Sequence, residues 1–290
     1  MQVVRPDTEY RIEQFAVFND RQTDFYLHRT EQAMLEAVQR LRGPGRQLLL
    51  DVGCGLGMQA GRLALRGWEA YGIDASDQML MLGQFRFPVV HRKVCLARGI
   101  AESLPFQDGS FDAVMCQGAM DHFADHRRFL AEVERVLKPG GHFVVALANY
   151  ESLACRIGKA LFHDVARVLG IETPPRYQFW KIPVDHTFVG SYRLVKGMAT
   201  ARFRLAAIHG ASMFLFLPPW RELLEALPQR MARAVFKVVD SLAYHSPSAA
   251  DVVIATLRKE DAPSSSALPP AARGNGRKRS SDVPSYPLPR

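Results

Sequence analysis

Apolar residues recur along this chain in two rhythms. Between residues 8 and 42, Phe15 and Phe18, then Phe25, Leu27, Met34, Leu35, Val38 and Leu41 return near three-four spacing, which predicts a helical N-terminal segment. Gly43-Pro44-Gly45 stops it, so a first unit is assigned to 1–45. The rhythm then changes to short, continuously apolar runs separated by helical stretches. Leu48–Val52 is such a run, of the kind that is buried on both faces of a parallel sheet. A helix follows with Ala60, Leu63 and Ala64 on one face and ends at Gly67. Trp68–Asp74 predicts a second strand, and Ser76 caps a helix carrying Met79, Leu80 and Leu82. Val94–Ala97 and Phe111–Cys116 predict strands three and four. Asp125–Leu137 predicts a helix with Phe129, Leu130, Val133, Val136 and Leu137 on one side. Lys138-Pro139-Gly140-Gly141 stops that helix, and His142–Ala148 is a fifth strand.

Strands alternating with helices in this way predict an α/β fold with a doubly wound parallel sheet. Ligands of such sheets bind beyond the carboxyl ends of the strands, where strand order reverses. After Asn149 the regularity fails. Residues 150–190 read as mixed helix and loop, with aromatics at Tyr177, Phe179, Trp180 and Phe188. Ser191–Ala201 reads as a helix and Leu205–Phe216 as a strand. Pro218-Pro219 opens a long helical region over about 218–245, and Asp251–Leu257 is a last strand. No internal repeat is present.

Composition narrows the class. The 290 residues are 48% hydrophobic and 23% charged, which is globular. No apolar window reaches the roughly 18 residues of a membrane span, and the N-terminus lacks the apolar core of a signal peptide. A cytoplasmic protein without a transmembrane segment is expected, with peripheral membrane contact left open. Cysteines 54, 95, 116 and 155 have no metal-ligand or disulfide spacing, so reduced thiols and no metal site are expected. From Arg258 onward seven Lys/Arg face three Asp/Glu, which accounts for half of the net charge of +8. That stretch is rich in Pro, Ser, Ala and Gly, so 259–290 is expected to be a disordered basic tail. Residues 1–257 carry the other +4, too little excess charge to argue for a nucleic-acid partner, and 46–258 is assigned to the main domain.

The chemistry concentrates in 48-LLLDVGCGLGMQAGRLALRG-67. In one register Gly55-Leu56-Gly57-Met58-Gln59-Ala60 fits the dinucleotide pattern G-x-G-x-x-A, and Asp74 lies at the end of the next strand where a ribose-binding acid belongs. In the other register an acid, Asp51, ends the strand and Gly53, Gly55 and Gly57 alternate after it. A carboxylate beside the loop suits an ammonium and repels a diphosphate.

The second register resembles the first motif of class I S-adenosylmethionine-dependent methyltransferases. Two later stretches are similar to that family's later motifs: 99-GIAESLPFQDGSFDAVMCQGAMDHFAD-125 and 134-ERVLKPGGHFVVAL-147. The likeness covers roughly residues 48–148 and is greatest to the small-molecule type 11 branch. It implies a Rossmann-like, seven-stranded, mostly parallel sheet whose last strand is antiparallel, with a helical lid inserted at about 150–190. It also implies S-adenosyl-L-methionine as cofactor. By resemblance, Asp51, Gly53, Cys54, Gly55 and Gly57 surround the methionine part. Asp74 holds the ribose hydroxyls, Ala75 and Met79 pack near the adenine, and Ala101 and Glu102 meet its edge. Cys116 and Gln117 line the methionine side. Ile100 is a departure, since the family often has there an acid that bonds the adenine amino group. Glu102 or backbone atoms are left to substitute.

The resemblance implies transfer of a methyl group to a small-molecule acceptor. His122, in the loop after strand four, is the first candidate for a general base, and His186 the second. His126, His163 and His209 are lesser candidates. Apolar residues of the lid, among them Leu161, Phe162, Trp180, Phe188, Phe214, Phe216 and Trp220, suggest a hydrophobic or lipid-linked acceptor, although apolar stripes also serve as core. Two alternatives stand beside this. One is an RNA or tRNA methyltransferase, disfavoured because strand four ends in Cys-Gln-Gly-Ala rather than N/D-P-P-Y/F. The other is a non-catalytic cofactor-binding protein. Acceptor identity, the atom methylated and oligomeric state are not given by the residues.

Overall fold

The computed structural model describes residues 21–170, 186–199 and 203–260, apart from 215, 216, 218, 219, 221, 222 and 225. The chain divides after Glu260, and the basic tail lies outside the described residues. So do residues 8–20 of the N-terminal segment and the lid aromatics Tyr177, Phe179 and Trp180.

The described chain opens with α1 (Arg21–Gln39). Five strands follow, each succeeded by a helix or turn: β1 (Leu48–Val52), α2 (Met58–Ala64), β2 (Glu69–Asp74), α3 (Asp77–Arg86), a short α4 (Pro88–His91), β3 (Val94–Arg98), β4 (Phe111–Gln117), α5 (His126–Val136) and β5 (Leu137–Ala148). Beyond them lie α6 (Leu153–Gly158), a π-helical turn at Lys159–Asp164, α7 (Val165–Val168), α8 (Tyr192–Gly197), β6 (Phe203–Ala211), α9 (Gln229–His245) and β7 (Val252–Lys259). The strands form one sheet in the order β3-β2-β1-β4-β5-β7-β6. β1 to β5 pair in parallel, and β7 runs antiparallel to both of its neighbours, β5 and β6. The expected seven-stranded, doubly wound architecture is therefore present.

Side-chain alternation explains why both faces are covered. Leu49, Met115, Val144 and Ala146 face one side, with Met34, Leu35 and Val38 of α1 and Ala60 and Leu63 of α2. Their neighbours Leu50, Val114, Cys116, Val145 and Leu147 face the other, against Phe129, Val133 and Val136 of α5 and Val195 of α8. Successive strand residues point to opposite faces, so a strand with a helical layer on each side must be apolar throughout. Strand order reverses between β2-β1 and β1-β4. The glycine loop leaves β1 at that point.

Two sequence expectations are corrected. Lys138-Pro139-Gly140-Gly141 does not separate a helix from a strand. β5 already pairs at Leu137 with Phe111, and the four residues bulge out before His142 pairs with Ala113. β6 ends at Ala211, not Phe216, because Ser212 and Phe214 take left-handed backbone angles of φ 58° and 67°, which end a strand although neither is glycine. Within the helical region expected over about 218–245, α9 runs from Gln229 to His245 with Pro228 at its N-cap, and residues 220, 223, 224 and 226 before it are helical too.

Candidate functional site

The glycine loop is shaped by the ends of two strands. Gly53 N–H donates to Ile73 O at 2.8 Å, which ties the start of the loop to β2. Gly53, Gly55 and Gly57 take φ of 72°, 51° and 70°, a region costly for any residue with a Cβ. The space around them differs. A Cβ on Gly53 would lie 2.3 Å from the Cβ of Ala119, whereas one on Gly55 would meet only Met79 Cε, at 3.5 Å. Gly53 is thus required by packing against the loop after β4. Gly55 alone, of these two, leaves room for a ligand beside Met79.

Asp51 and Asp74 end adjacent, in-register strands. Asp51 is almost fully buried. Burial, reinforced by the neighbouring Asp74, pushes its carboxyl up to about 7, against one opposing hydrogen bond from the backbone N–H of Ala60. Asp74 is half-buried and already anchored. Its Oδ2 accepts from Gly55 N–H at 2.7 Å and its Oδ1 from Ser76 N–H at 2.8 Å, so each oxygen keeps a lone pair for a ligand hydroxyl. Ser76 also caps α3 by accepting from Met79 N–H, and this seats Met79 under Gly55.

The register Asp51↔Met115 places Gln117, two residues further along β4, on the same face of the sheet. Its Oε1 is buried and accepts no hydrogen bond among the described residues. A buried carboxylate and an unpaired amide oxygen therefore stand at the ends of β1 and β4. This donor-poor pair fits an ammonium such as that of S-adenosylmethionine, and the carboxylates would repel a diphosphate. Cys54 and Cys116 are buried, and burial, then Asp51, raises both thiols well above their usual range. Cys116 is fully buried in the core on the face of the sheet opposite Gln117.

The expected adenine segment, Ile100 to Phe106, is held by a residue the sequence reading passed over. Arg135 of α5 donates to Leu104 O at 2.9 Å, to Phe106 O at 2.6 Å and to Asp108 Oδ1 at 2.8 Å. Glu132, paired with Arg135 at 2.7 Å, accepts from Leu104 N–H at 2.7 Å. That hydrogen bond with Arg135 also holds the Glu132 carboxyl below its usual range. The signal was the Arg of 134-ERVLKPGG-141, quoted as a motif but given no role. Ala101 is buried and Ile100 is 44% exposed, as an apolar platform at a ligand edge would be. Glu102, a candidate to replace the missing acid, has its Oε1 engaged by Asp125 N–H at 3.1 Å at the start of α5. That commitment weakens its claim on the adenine amino group.

On the acceptor side the two expected histidines come together. His122 lies in the single 3₁₀ turn Met120–His122 after β4. Its ring centroid is 4.8 Å from that of His186, edge to face. His186 Nδ1 lies 3.3 Å from Asp121 Oδ2 and 3.4 Å from the Tyr150 hydroxyl. Thr187 fastens the two segments: its N–H and hydroxyl donate to Asp121 O at 2.8 and 3.1 Å, and the hydroxyl also reaches Phe123 O at 2.6 Å. The other histidines stay apart from this group. His126 packs on Phe188, and His209 stacks on Tyr244 at the far edge of the sheet. Tyr150 also opens a cavity of ≈ 550 Å³ whose lining includes Cys155, Arg156, Lys159, Val189 and Tyr192.

A seven-stranded sheet with this strand order, an acid before a glycine loop at the reversal point and a second acid closing β2 are the features that resemble class I methyltransferase domains. Residues 50–145 match the type 11 family model described as a methyltransferase domain. The demethylmenaquinone methyltransferase of Symbiobacterium thermophilum is 40% identical over 107 residues, covering 35% of this chain and 42% of that protein. The ubiquinone biosynthesis O-methyltransferase of Chromobacterium violaceum is 30% identical over 141 residues, covering 47% and 59%. The alignments thus span about two to three fifths of the length of the curated relatives. Among solved structures, the PH0226 protein of Pyrococcus horikoshii superposes with a TM-score of 0.53 at 18% identity over 89% of this chain and 97% of its own, a likeness of fold.

Proposed function

We propose that the protein transfers the methyl group of S-adenosylmethionine to a small, hydrophobic acceptor. The observation that carries this is the pair of acids ending β1 and β2 around a glycine loop, with the unpaired Gln117 oxygen beside them. When bound, the cofactor supplies an activated methyl on a sulfonium. The chain supplies alignment, which can be worth several kcal/mol in such a displacement. Asp51 and Gln117 would take the ammonium, and Asp74 the ribose hydroxyls through its remaining lone pairs. Met79 and Ile100 would give the adenine apolar contact. Ala75, next to Asp74, would pack near the adenine, and its carbonyl accepts from Arg98 Nε at 3.3 Å.

Asp121, His122 and His186 are the polar groups on the acceptor side, where the proton of a hydroxyl acceptor must be removed or its charge stabilised. Support for a hydrophobic acceptor comes from two sources. The named activities of the two curated relatives concern quinones. The helical run after β5 exposes Leu161, Val168 and Leu169 next to the cavity wall formed by Cys155, Arg156 and Lys159. No helix among the described residues is long and apolar enough to cross a membrane.

Titration calorimetry with S-adenosylmethionine, S-adenosylhomocysteine and NAD tests the cofactor; binding of NAD alone overturns the proposal. Methyl transfer to reduced quinones, lipids and polar phenols tests the acceptor. A preference for small polar phenols would remove the hydrophobic part and leave the methyltransferase part standing.

A further inference from the structure

Asp121, His122 and His186 each bring one ligand-type atom into a group whose members all lie within 4.8 Å of one another. The group is built, not incidental. Asp121 and His122 come from the turn after β4, His186 comes from a segment more than 60 residues later, and Thr187 locks the two together through the Asp121 and Phe123 carbonyls. The side chains of Asp121 and His186 are each only 10% exposed. Asp121 Oδ1 is buried and has no hydrogen-bond partner among the described residues. An unpaired buried carboxylate oxygen is expensive, and a cation is the partner that compensates it most fully.

We propose that these three residues bind a divalent transition-metal ion of the zinc, cobalt or manganese kind, and that the ion receives the acceptor's oxygen. The donor set decides the ion: two imidazoles and one carboxylate suit zinc and its first-row neighbours, whereas calcium and magnesium take oxygen ligands. The spacing agrees. An ion about 2.0–2.2 Å from each ligand holds neighbouring ligand atoms about 3.0–3.4 Å apart. Asp121 Oδ2 and His186 Nδ1 are already 3.3 Å apart. His122 is the third donor, with all three ligand atoms within 4.8 Å of one another. Three protein ligands leave at least one coordination position open, as reactive metal sites require. The Tyr150 hydroxyl, 3.4 Å from His186 Nδ1, stands at the rim where it can bond a ligand on the ion.

This inference rests on the methyltransferase reading for its role and narrows the substrate to a phenol, catechol or reduced-quinone hydroxyl. Coordination lowers the pKa of such a hydroxyl, whose proton leaves to solvent water. The oxygen's electron pair then forms the O–CH₃ bond. The S–CH₃ pair returns to sulfur and leaves S-adenosylhomocysteine, with no oxidant or reductant needed.

The experiment titrates chelator-treated full-length protein with Zn²⁺ by calorimetry and with Co²⁺ by visible absorption. S-adenosylmethionine binding is measured on the same samples. One ion per chain is expected, with the d–d bands of Co²⁺ bound to nitrogen and oxygen. Affinity should fall at least tenfold in Asp121→Asn and in His186→Ala, and the His122→Gln variant keeps the test open if either of the others fails to fold. No ion bound by wild type, or unchanged affinity in the variants, overturns the metal site even if the cofactor still binds. Ion binding without cofactor binding leaves the site standing and sinks the methyltransferase reading instead.

Discussion

The carboxylate of Asp74 accepts the backbone N–H of Gly55 at 2.7 Å, so the acid that ends the second strand also holds the glycine loop of the first. A single side chain would thereby tie loop shape to the proposed ribose contact. Asp74→Ala removes both functions at once. It leaves the N–H groups of Gly55 and Ser76 without their acceptor and is expected to cost about 1–3 kcal/mol of stability. Asp74→Asn keeps one acceptor oxygen and should keep most of that stability. Both should weaken S-adenosylmethionine binding in calorimetry, Ala more than Asn. An Asp74→Ala variant of unchanged affinity would remove Asp74 from the site.

Asp51 predicts a pH dependence whose sign can be worked out. Folding raises its carboxyl from 3.8 to about 7, chiefly through burial. Between those values the folded chain binds more protons than the unfolded one, so this group makes stability fall as pH rises through the window. The penalty is complete above pH about 7 and absent below pH about 4. Asp51→Asn should therefore raise the melting temperature more at pH 8 than at pH 4, while losing cofactor affinity at pH 8. For wild type the affinity should rise from pH 5.5 to 8, because the ammonium needs the ionised carboxylate. A flat affinity profile over that range would contradict the pairing of Asp51 with a cation.

Gly53 and Gly55 separate packing from ligand space. At Gly53, alanine would combine φ 72° with a Cβ 2.3 Å from Ala119 Cβ, and loss of the folded domain is expected. At Gly55 the strain at φ 51° costs on the order of 1–2 kcal/mol, but the only near atom is the flexible Met79 Cε at 3.5 Å. Gly55→Ala should fold, shown by circular dichroism, and bind S-adenosylmethionine at least tenfold more weakly. Equal affinity with wild type would mean that the ligand does not use the space beside Met79.

The parts of this protein legible from sequence are those with local causes. Leu48–Val52 of β1 (except Asp51), 113–116 of β4 and 143–147 of β5 are apolar runs because helices cover both faces. The cap of α3 at Ser76 and that of α5 at Asp125 are short-range hydrogen bonds visible as residue types. The end of β6 was misplaced, because left-handed Ser212 and Phe214 carry no compositional sign. In the candidate site, Asp51 and Asp74 were singled out because a loop motif names them. The pairing of Asp121 with His186 was not, since it depends on Thr187 joining segments far apart in the chain.

Arg135 belongs to the same non-local category, and it gives the last prediction. Its guanidinium bonds two backbone carbonyls of the 100–106 segment and two carboxylates, and its side chain is 29% exposed. Replacement by alanine strands Leu104 O, Phe106 O and Glu132 together, at an expected cost of about 1–3 kcal/mol after allowance for solvent. Arg135→Lys restores the charge but not the planar fork that reaches both carbonyls, so it should recover only part of that loss. Because the clamp holds the 100–106 segment proposed to meet the adenine and lies away from the proposed acceptor side, the remaining folded enzyme should show a raised KM for S-adenosylmethionine with kcat much less changed. A fall in kcat at unaltered KM would instead place the effect of Arg135 on the acceptor side, through α5 and the Asp125 turn.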